Sequence, residues 1–301
     1  MRLMVTGANG QVGWELSQVL RPLGEVIALN RGQCDLSRPE LLPAAVRNVK
    51  PDIIVNAAAY TAVDKAEQEE RLATTINGTA VGVLAEEARK AGILFVHYST
   101  DYVFDGEKSS PYSEADAPHP INAYGRSKLA GETALAAAGG AYLILRTSWV
   151  YSGRGRNFLL TVLRLARERD ELRMVDDQIG APTWARDIAD ATAHIVGVAQ
   201  AERAQGKFAS GIFHLTASGM TSWCGFAKAI VDDAGRHGLL GQRLPRLTAI
   251  TSADYPTPAA RPKNSRLSGE RIRQRFGIAL QDWRVSSLAR CIEQMTGSFS
   301  T

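Results

Sequence analysis

Short apolar runs alternate with segments of helical period through the first half of the chain. RLMVTG (2–7), EVIAL (25–29), DIIVNAA (52–58) and ILFVHYST (93–100) are compact and apolar, which predicts strands. Between them GQVGWELSQVL (10–20), ELLPAAVRNV (40–49) and a long stretch reaching about Ala91 space their apolar residues as helices do. Strands joined through helices need crossover connections, and crossovers produce a parallel sheet covered on both faces. The pattern therefore predicts an α/β fold with a doubly wound parallel sheet.

AYLILRTSWVY (141–151) reads as one further strand of that sheet. Beyond it the pattern loosens, with a helix expected over FLLTVLRLARER (158–169), a strand in LRMVDD (172–177) and a helix over DIADATAHIVGVAQ (187–200). A short strand in GIFHLTA (211–217) and a helix capped by Thr221 or Ser222 follow. The proline-rich DYPTPAARPKNSRL (254–267) is expected to be an ordered loop, because periodic segments resume directly after it. The expected organisation is a Rossmann-like dinucleotide-binding domain over residues 1–150 and a smaller α/β substrate domain over 151–301, interleaved at an approximate boundary.

Composition narrows the setting. Of 301 residues, 45% are hydrophobic and 22% charged, the balance of a globular chain with a sizeable core. The start, MRLMVTG, has no basic segment ahead of an apolar one, and no apolar run approaches membrane-spanning length, so a cytoplasmic protein without a membrane partner is expected. Cys34, Cys224 and Cys291 are far apart and odd in number, which indicates neither a disulfide frame nor a zinc site. The 35 basic and 31 acidic residues leave +4 spread along the chain; a nucleic-acid partner is not expected, and a small anionic ligand suits the balance.

Candidate chemistry begins at TGANGQVG (6–13). Gly7, Gly10 and Gly13 fall at a strand-to-helix turn, where a pyrophosphate can approach backbone N–H groups at a helix N-terminus. The second strand ends in Asn30 and Arg31, without the acid that would bind the ribose hydroxyls of NAD. Arg31 is either a partner for the extra phosphate of NADP or an exposed loop arginine. In NAYGRSK (122–128), Tyr124 and Lys128 stand four apart at a helix start, on one face and within reach of a single ligand.

These features resemble the extended short-chain dehydrogenase/reductases, whose pattern is a GxxGxxG turn, a Ser or Thr after the fourth strand, and Tyr-x-x-x-Lys. Thr100, 24 residues before Tyr124, matches that spacing. Within the family GQVGWEL, NAAAYTAVDKAE, STDYVFDG, YGRSKLAGE, RTSWVY, GAPT and RPKNSRL are similar, in order, to the branch that reduces dTDP-4-keto-6-deoxysugars. The resemblance implies NAD(P)H-dependent reduction of dTDP-4-dehydro-β-L-rhamnose to dTDP-β-L-rhamnose, a donor for cell-surface polysaccharide, with NADPH as cofactor and NADH as the alternative. Hydride delivery to a ketone leaves an alkoxide that needs a proton. Tyr124 is then the acid, Lys128 lowers its pKa and holds the nicotinamide ribose, and Thr100 donates to the carbonyl oxygen. Ser99 points to the opposite face of the strand, so only one of the two hydroxyls can serve, and the resemblance selects Thr100. Related dehydratases carry Thr-Asp-Glu here to eliminate water; Tyr102 in place of that glutamate suits a one-step reduction.

The same resemblance places Gln11 and Val12 in the glycine turn, Asp35 and Leu36 beside the adenine, and Ala57, Ala58, Tyr60 and Thr61 along the cofactor. Asp101 and Trp149 are implied to meet the sugar, and Asn157, Arg261, Asn264 and Ser265 the nucleotide part. A reductase of another dTDP-4-keto-6-deoxysugar would keep these residues. The family also contains a regulatory subunit of methionine adenosyltransferase, a dinucleotide-binding reading without turnover, against which the full Thr100, Tyr124 and Lys128 set argues. In part of the family glutamates from separate segments bind a divalent ion that helps join two subunits. Glu15 and Glu293 resemble two of them, but the third position falls at Arg186, a donor-only cation, so no Mg²⁺ site is expected. Arg186 is expected to pair with Glu15 or Glu293, and a homodimer would rest on packing or ion pairs.

Overall fold

The computed structural model describes residues 1–241 and 243–297. The first half builds β1 (Arg2–Thr6), α1 (Gln11–Val19), β2 (Glu25–Leu29), α2 (Leu42–Val49) and β3 (Ile53–Asn56). The chain continues through α3 (Val63–Ala66), α4 (Glu70–Thr74), α5 (Ala80–Lys90), β4 (Leu94–Thr100), α6 (Ala123–Ala138) and β5 (Tyr142–Thr147). The second half adds β6 (Val150–Tyr151), α7 (Phe158–Glu168), β7 (Glu171–Val175), β8 (Ile179–Gly180), β9 (Thr183–Trp184) and α8 (Ala185–Ala204). It ends with β10 (Gly211–His214), β11 (Thr221–Ser222), α9 (Trp223–Arg236), β12 (Arg246–Ile250), α10 (Glu270–Phe276) and α11 (Leu288–Gly297).

Six strands pair in the order β10-β5-β4-β3-β1-β2, every pairing parallel. Successive side chains leave a strand on opposite faces, which divides the core in two. Leu3, Val5, Ile53, Val55, Leu94 and Val96 pack under α1 and α8, whereas Met4, Ile54, Phe95 and Ile144 pack under α2 and α5. Strand order reverses at β1, with β2 on one side and β3 on the other; a crevice at such a point, outside the strand ends, is where a doubly wound sheet binds ligands. A third apolar cluster, with Tyr151, Leu159, Trp184, Phe226, Ile230, Leu288 and Ile292, joins α7, α9 and α11. Among the described residues no helix is long and apolar enough to cross a membrane.

Three departures from the sequence expectations have local causes. The stretch reaching Ala91 is not one helix: α3 and α4 are short, and Thr75–Thr79 is a π-turn. Within that turn the Asn77 amide bonds the backbone N and O of Tyr60 and the Ser127 hydroxyl, and these partners draw the turn out of α-helical register. Helix α6 fits closely against it, since a Cβ on Gly131 would lie 2.1 Å from the Asn77 carbonyl oxygen. The run 141–151 likewise splits. Trp149 adopts the left-handed region at φ 47°, and Val150–Tyr151 leaves the sheet to pair with β9. Finally β10 and α8, from the second half, complete the first sheet and cover one face of it. Ser222, rather than Thr221, caps α9, its hydroxyl accepting from the Gly225 N–H.

Candidate active site

The glycine turn is tight because two side chains are missing from it. Gly7 has φ +72°, and a Cβ on Gly13 would lie 2.1 Å from the Gly7 carbonyl oxygen. Gly10 caps α1 without a side chain, leaving the first N–H groups of the helix directed at the crevice.

This crevice is a cavity of about 640 Å³ lined by Gly7, Gly10, Gln11, Val12, Arg31, Asp35, Leu36, Ala57, Ala58, Tyr60, Thr61, Tyr124 and Lys128. Those residues were singled out in the sequence for the cofactor; others that line the cavity, among them Asn9, Cys34, Tyr98 and Arg156, were not. Two further residues named with them in the sequence, Gly13 and Asn30, do not line it: Gly13 packs against the Gly7 carbonyl, and the Asn30 side chain accepts from the Gly32 N–H at 2.9 Å. Arg31 is exposed and its Nε lies 3.4 Å from Asp35, whose carboxylate also accepts from Ser37 and is held below the usual range chiefly by that bond. Ser99 and Thr147, which the sequence did not single out for the cofactor, also line the cavity, and their buried hydroxyl oxygens have no partner. Thr147 ends β5, whereas the run 141–151 read as a single strand put it mid-strand, so no sequence signal marked it. An open helix N-terminus, a turn without side chains and two unpartnered hydroxyls together fit a dinucleotide.

At the cavity's inner edge, Asn122 caps α6 by accepting from the Gly125 N–H at 2.8 Å, which sets Tyr124 in the first turn. The Thr100 hydroxyl donates to Asp101 Oδ1 at 3.0 Å, accepts from the Tyr102 N–H at 3.1 Å and is a hydrogen-bond neighbour of the Tyr124 phenol. Burial, then the Asp101 charge, raise the Tyr124 phenol above its ordinary value, and Thr100 opposes them. Lys128 does not counter this shift. Its Nζ turns instead to the Tyr98 carbonyl at 2.6 Å, and burial pushes its pKa down to about 8. Burial also raises Asp101 to about 6, and its Oδ2 lacks a hydrogen-bond partner.

A second cavity of about 740 Å³ begins at Tyr102, whose ring meets Tyr124 edge-on at 5.7 Å. It is lined by Phe158, Trp223 and Tyr255 and by three cations, Arg169, Arg173 and Arg261, a combination suited to a base and a diphosphate. Arg261 forks onto Asp64 with both contacts at 2.9 Å, tying the proline-rich loop to the segment after β3. Trp149 stacks on Trp223 at 3.6 Å and presses on Gly180. Asn157 caps α7 and bonds Gln11 at 2.8 Å, so its amide is committed within the chain. Asn264 is buried, its amide nitrogen taken by the Lys108 and Ser110 carbonyls, and buried Ser265 faces Asp101.

Arg186 lies 3.7 Å from Glu15 and 3.1 Å from Asp190, while Glu293 faces His237 at 3.8 Å. Among the described residues no group of three or more His, Cys, Asp or Glu side chains is placed to hold a metal ion.

The profile of the RmlD substrate binding domain matches residues 1–296. A dTDP-4-dehydrorhamnose reductase of Burkholderia thailandensis is 55% identical, covering 98% of this chain and 99% of the relative, and one of Escherichia coli K12 is 48% identical over 95% of each. A crystal structure of a dTDP-4-dehydrorhamnose reductase from Bacillus anthracis in complex with NADP superposes with a TM-score of 0.86 at 33% identity, over 97% of this chain and 99% of that one. Parallel sheet, glycine turn and Tyr-x-x-x-Lys helix thus coincide with likeness along almost the whole chain, which belongs to the RmlD family of dTDP-4-dehydrorhamnose reductases.

Proposed function

We propose that this chain is a cytoplasmic enzyme that reduces dTDP-4-dehydro-β-L-rhamnose to dTDP-β-L-rhamnose with NADPH. The observation that carries the reading is that Tyr124, a hydrogen-bond neighbour of Thr100, lines a dinucleotide-sized cavity together with Lys128 and meets, through Tyr102, a second, cationic and aromatic cavity. When bound, the reduced nicotinamide supplies the hydride. Tyr124 gives its proton to the oxygen of the substrate carbonyl, and its raised pKa keeps that proton in place at neutral pH. Thr100 steadies the same oxygen, and Lys128 orients the cofactor's ribose. Asp101 and Trp149 border the sugar, and Arg261 meets the diphosphate while Asp64 holds it. Asn157, Asn264 and Ser265 shape the site rather than touch the nucleotide, because their polar atoms are engaged or enclosed. Residues 1–150 carry the cofactor and 151–301 most of the substrate site.

Purified protein should oxidise NADPH when dTDP-4-dehydro-β-L-rhamnose is added, and product analysis should give dTDP-β-L-rhamnose. Turnover only with a different dTDP-4-keto-6-deoxysugar would replace the substrate. Tight NADPH binding with no turnover of any of them would support the regulatory-subunit reading.

Arg31 is assigned to the 2′-phosphate of NADPH. Arg31→Ala should weaken NADPH by about 1.5–3 kcal/mol, the worth of a charged hydrogen bond, and leave NADH nearly unchanged. Equal weakening of both in a binding titration removes the assignment.

Catalysis is assigned no metal, because Arg186 brings a positive charge to the carboxylate of Glu15. A homodimer, where one forms, then rests on packing or ion pairs. Activity should survive exhaustive chelation; a loss restored specifically by Mg²⁺ would overturn this.

A further inference from the structure

Lys128 has a buried polar neighbourhood that the reaction as described does not use. Its Nζ faces His97 Nε2 at 3.3 Å, and His97 Nδ1 meets the Asn56 side-chain amide at 3.0 Å. The other end of that amide meets Thr6 Oγ1 at 2.5 Å, and Thr6 Oγ1 accepts from the Ala58 N–H at 3.3 Å. Thr6, Asn56 and His97 are direct partners across β1, β3 and β4. One residue earlier, the same three strands place Val5, Val55 and Val96 side by side. A polar row beside an all-valine row, with none of its members more than 2% exposed, costs free energy unless each group is partnered. Ala58, at the far end, lines the cofactor cavity.

We propose that Thr6, Asn56 and His97 form a reversible hydrogen-bond chain that positions Lys128 and gives it a matched partner both as ammonium and as amine. The inference rests on the role of Lys128 in the proposed reduction.

The chain has two self-consistent directions, because an amide presents a donor at one end and an acceptor at the other and a neutral imidazole carries one proton on either nitrogen. With Lys128 charged, its N–H donates to His97 Nε2 and, once the Asn56 amide has turned over, His97 Nδ1–H donates to the Asn56 oxygen while the Asn56 nitrogen donates to Thr6. The amide orientation in the structure is the one that suits neutral Lys128: the Thr6 hydroxyl donates to the Asn56 oxygen, the Asn56 nitrogen donates to His97 Nδ1, and His97 Nε2–H then donates to the amine lone pair. Burial, reinforced by the Lys128 charge, holds His97 well below its ordinary range, so the ring stays neutral in both directions. The other ionisable groups around Lys128 are Glu132, one turn along α6 and paired with Arg146 of β5, Tyr98 of β4, and Tyr124, one turn back, with Asp101 beside it. Of these, Glu132 favours the ammonium and burial opposes it. His97 is accordingly a positioning residue, and its loss should lower kcat through the charge state of Lys128.

Ring-nitrogen NMR of the intact wild-type protein should show His97 passing from the Nδ1–H to the Nε2–H tautomer as pH rises, with the midpoint of the Lys128 titration. His97→Phe, which offers no polar atom, should reduce kcat about tenfold and move the alkaline limb of its pH profile about one unit lower. His97→Gln, which keeps an amide in the chain, should recover most of both. Lys128→Met is the reference. If it turns over normally, the reading of the site fails and this inference with it. If Lys128→Met is inactive but the His97 tautomer does not change with pH, or His97→Phe keeps the wild-type alkaline limb, the chain proposal alone is overturned.

Discussion

Tyr124→Phe is expected to cut turnover roughly 10²-fold or more, the scale of a lost general acid, while NADPH binding stays near wild type. The substitution removes one oxygen and little else. Ring position is fixed by the backbone: Asn122 caps the helix and donates to the Ala260 carbonyl at 2.8 Å, and a Cβ on Gly125 would lie 2.1 Å from the Tyr102 carbonyl oxygen. Phenylalanine therefore keeps the helix start and the edge contact with Tyr102. Thr100 and Lys128 remain to hold the carbonyl and the cofactor, so the expected split is a fall in kcat with a nearly constant dissociation constant for NADPH. Near-normal turnover would mean that another group protonates the alkoxide.

Glu132→Ala should destabilise the fold by about 3–5 kcal/mol, because it leaves a buried guanidinium without its counter-charge. Glu132 and Arg146 are 3% and 2% exposed and meet in a fork, Nε to Oε1 at 2.9 Å and Nη2 to Oε2 at 2.6 Å. Arg146 Nη1 already lacks a partner, and the Phe104 ring, 5.0 Å from the guanidinium carbon, offers only its π face. Replacing both members, with Arg146→Met added to Glu132→Ala, should recover much of the loss, since no charge is then stranded. The single variant should also titrate differently. Glu132 is the charge that holds the Lys128 pKa up against burial, so without it that pKa falls below about 8 and the ammonium is lost at lower pH. Chemical unfolding of the single and double variants measures the first effect, and the alkaline limb of kcat against pH the second. A single-variant loss under about 1 kcal/mol would show that Arg146 finds another partner.

Whatever depends on near neighbours along the chain is readable before folding. Apolar runs of strand length separated by helical periods dictate a parallel, doubly wound sheet, and a Gly7, Gly10, Gly13 turn after the first strand dictates where an anion can approach. Tyr124 and Lys128 fall one helical turn apart for the same reason: helix and strand periods are short-range properties. Position within one strand was less decisive. Ser99 and Thr100 both end up functional in aspect, one lining the cofactor cavity and the other bonding Asp101, because β4 ends there and the chain turns into Asp101–Val103.

The remaining contacts depend on how distant segments pack together. Arg261 meets Asp64 across 197 residues, Asn157 meets Gln11 across 146, and Thr6, Asn56, His97 and Lys128 come into line only when three strands and a helix are in register. Trp149 was singled out through the family resemblance, inside a run read as one strand; neither its left-handed backbone nor its stacking on Trp223, 74 residues away, was legible. Neither was the return of β10 and α8 to the first sheet, nor the contact of Lys128 Nζ with the Tyr98 carbonyl. Such contacts have no local signature, because a side chain's partner depends on where two distant backbone segments are carried by the packing of everything between them.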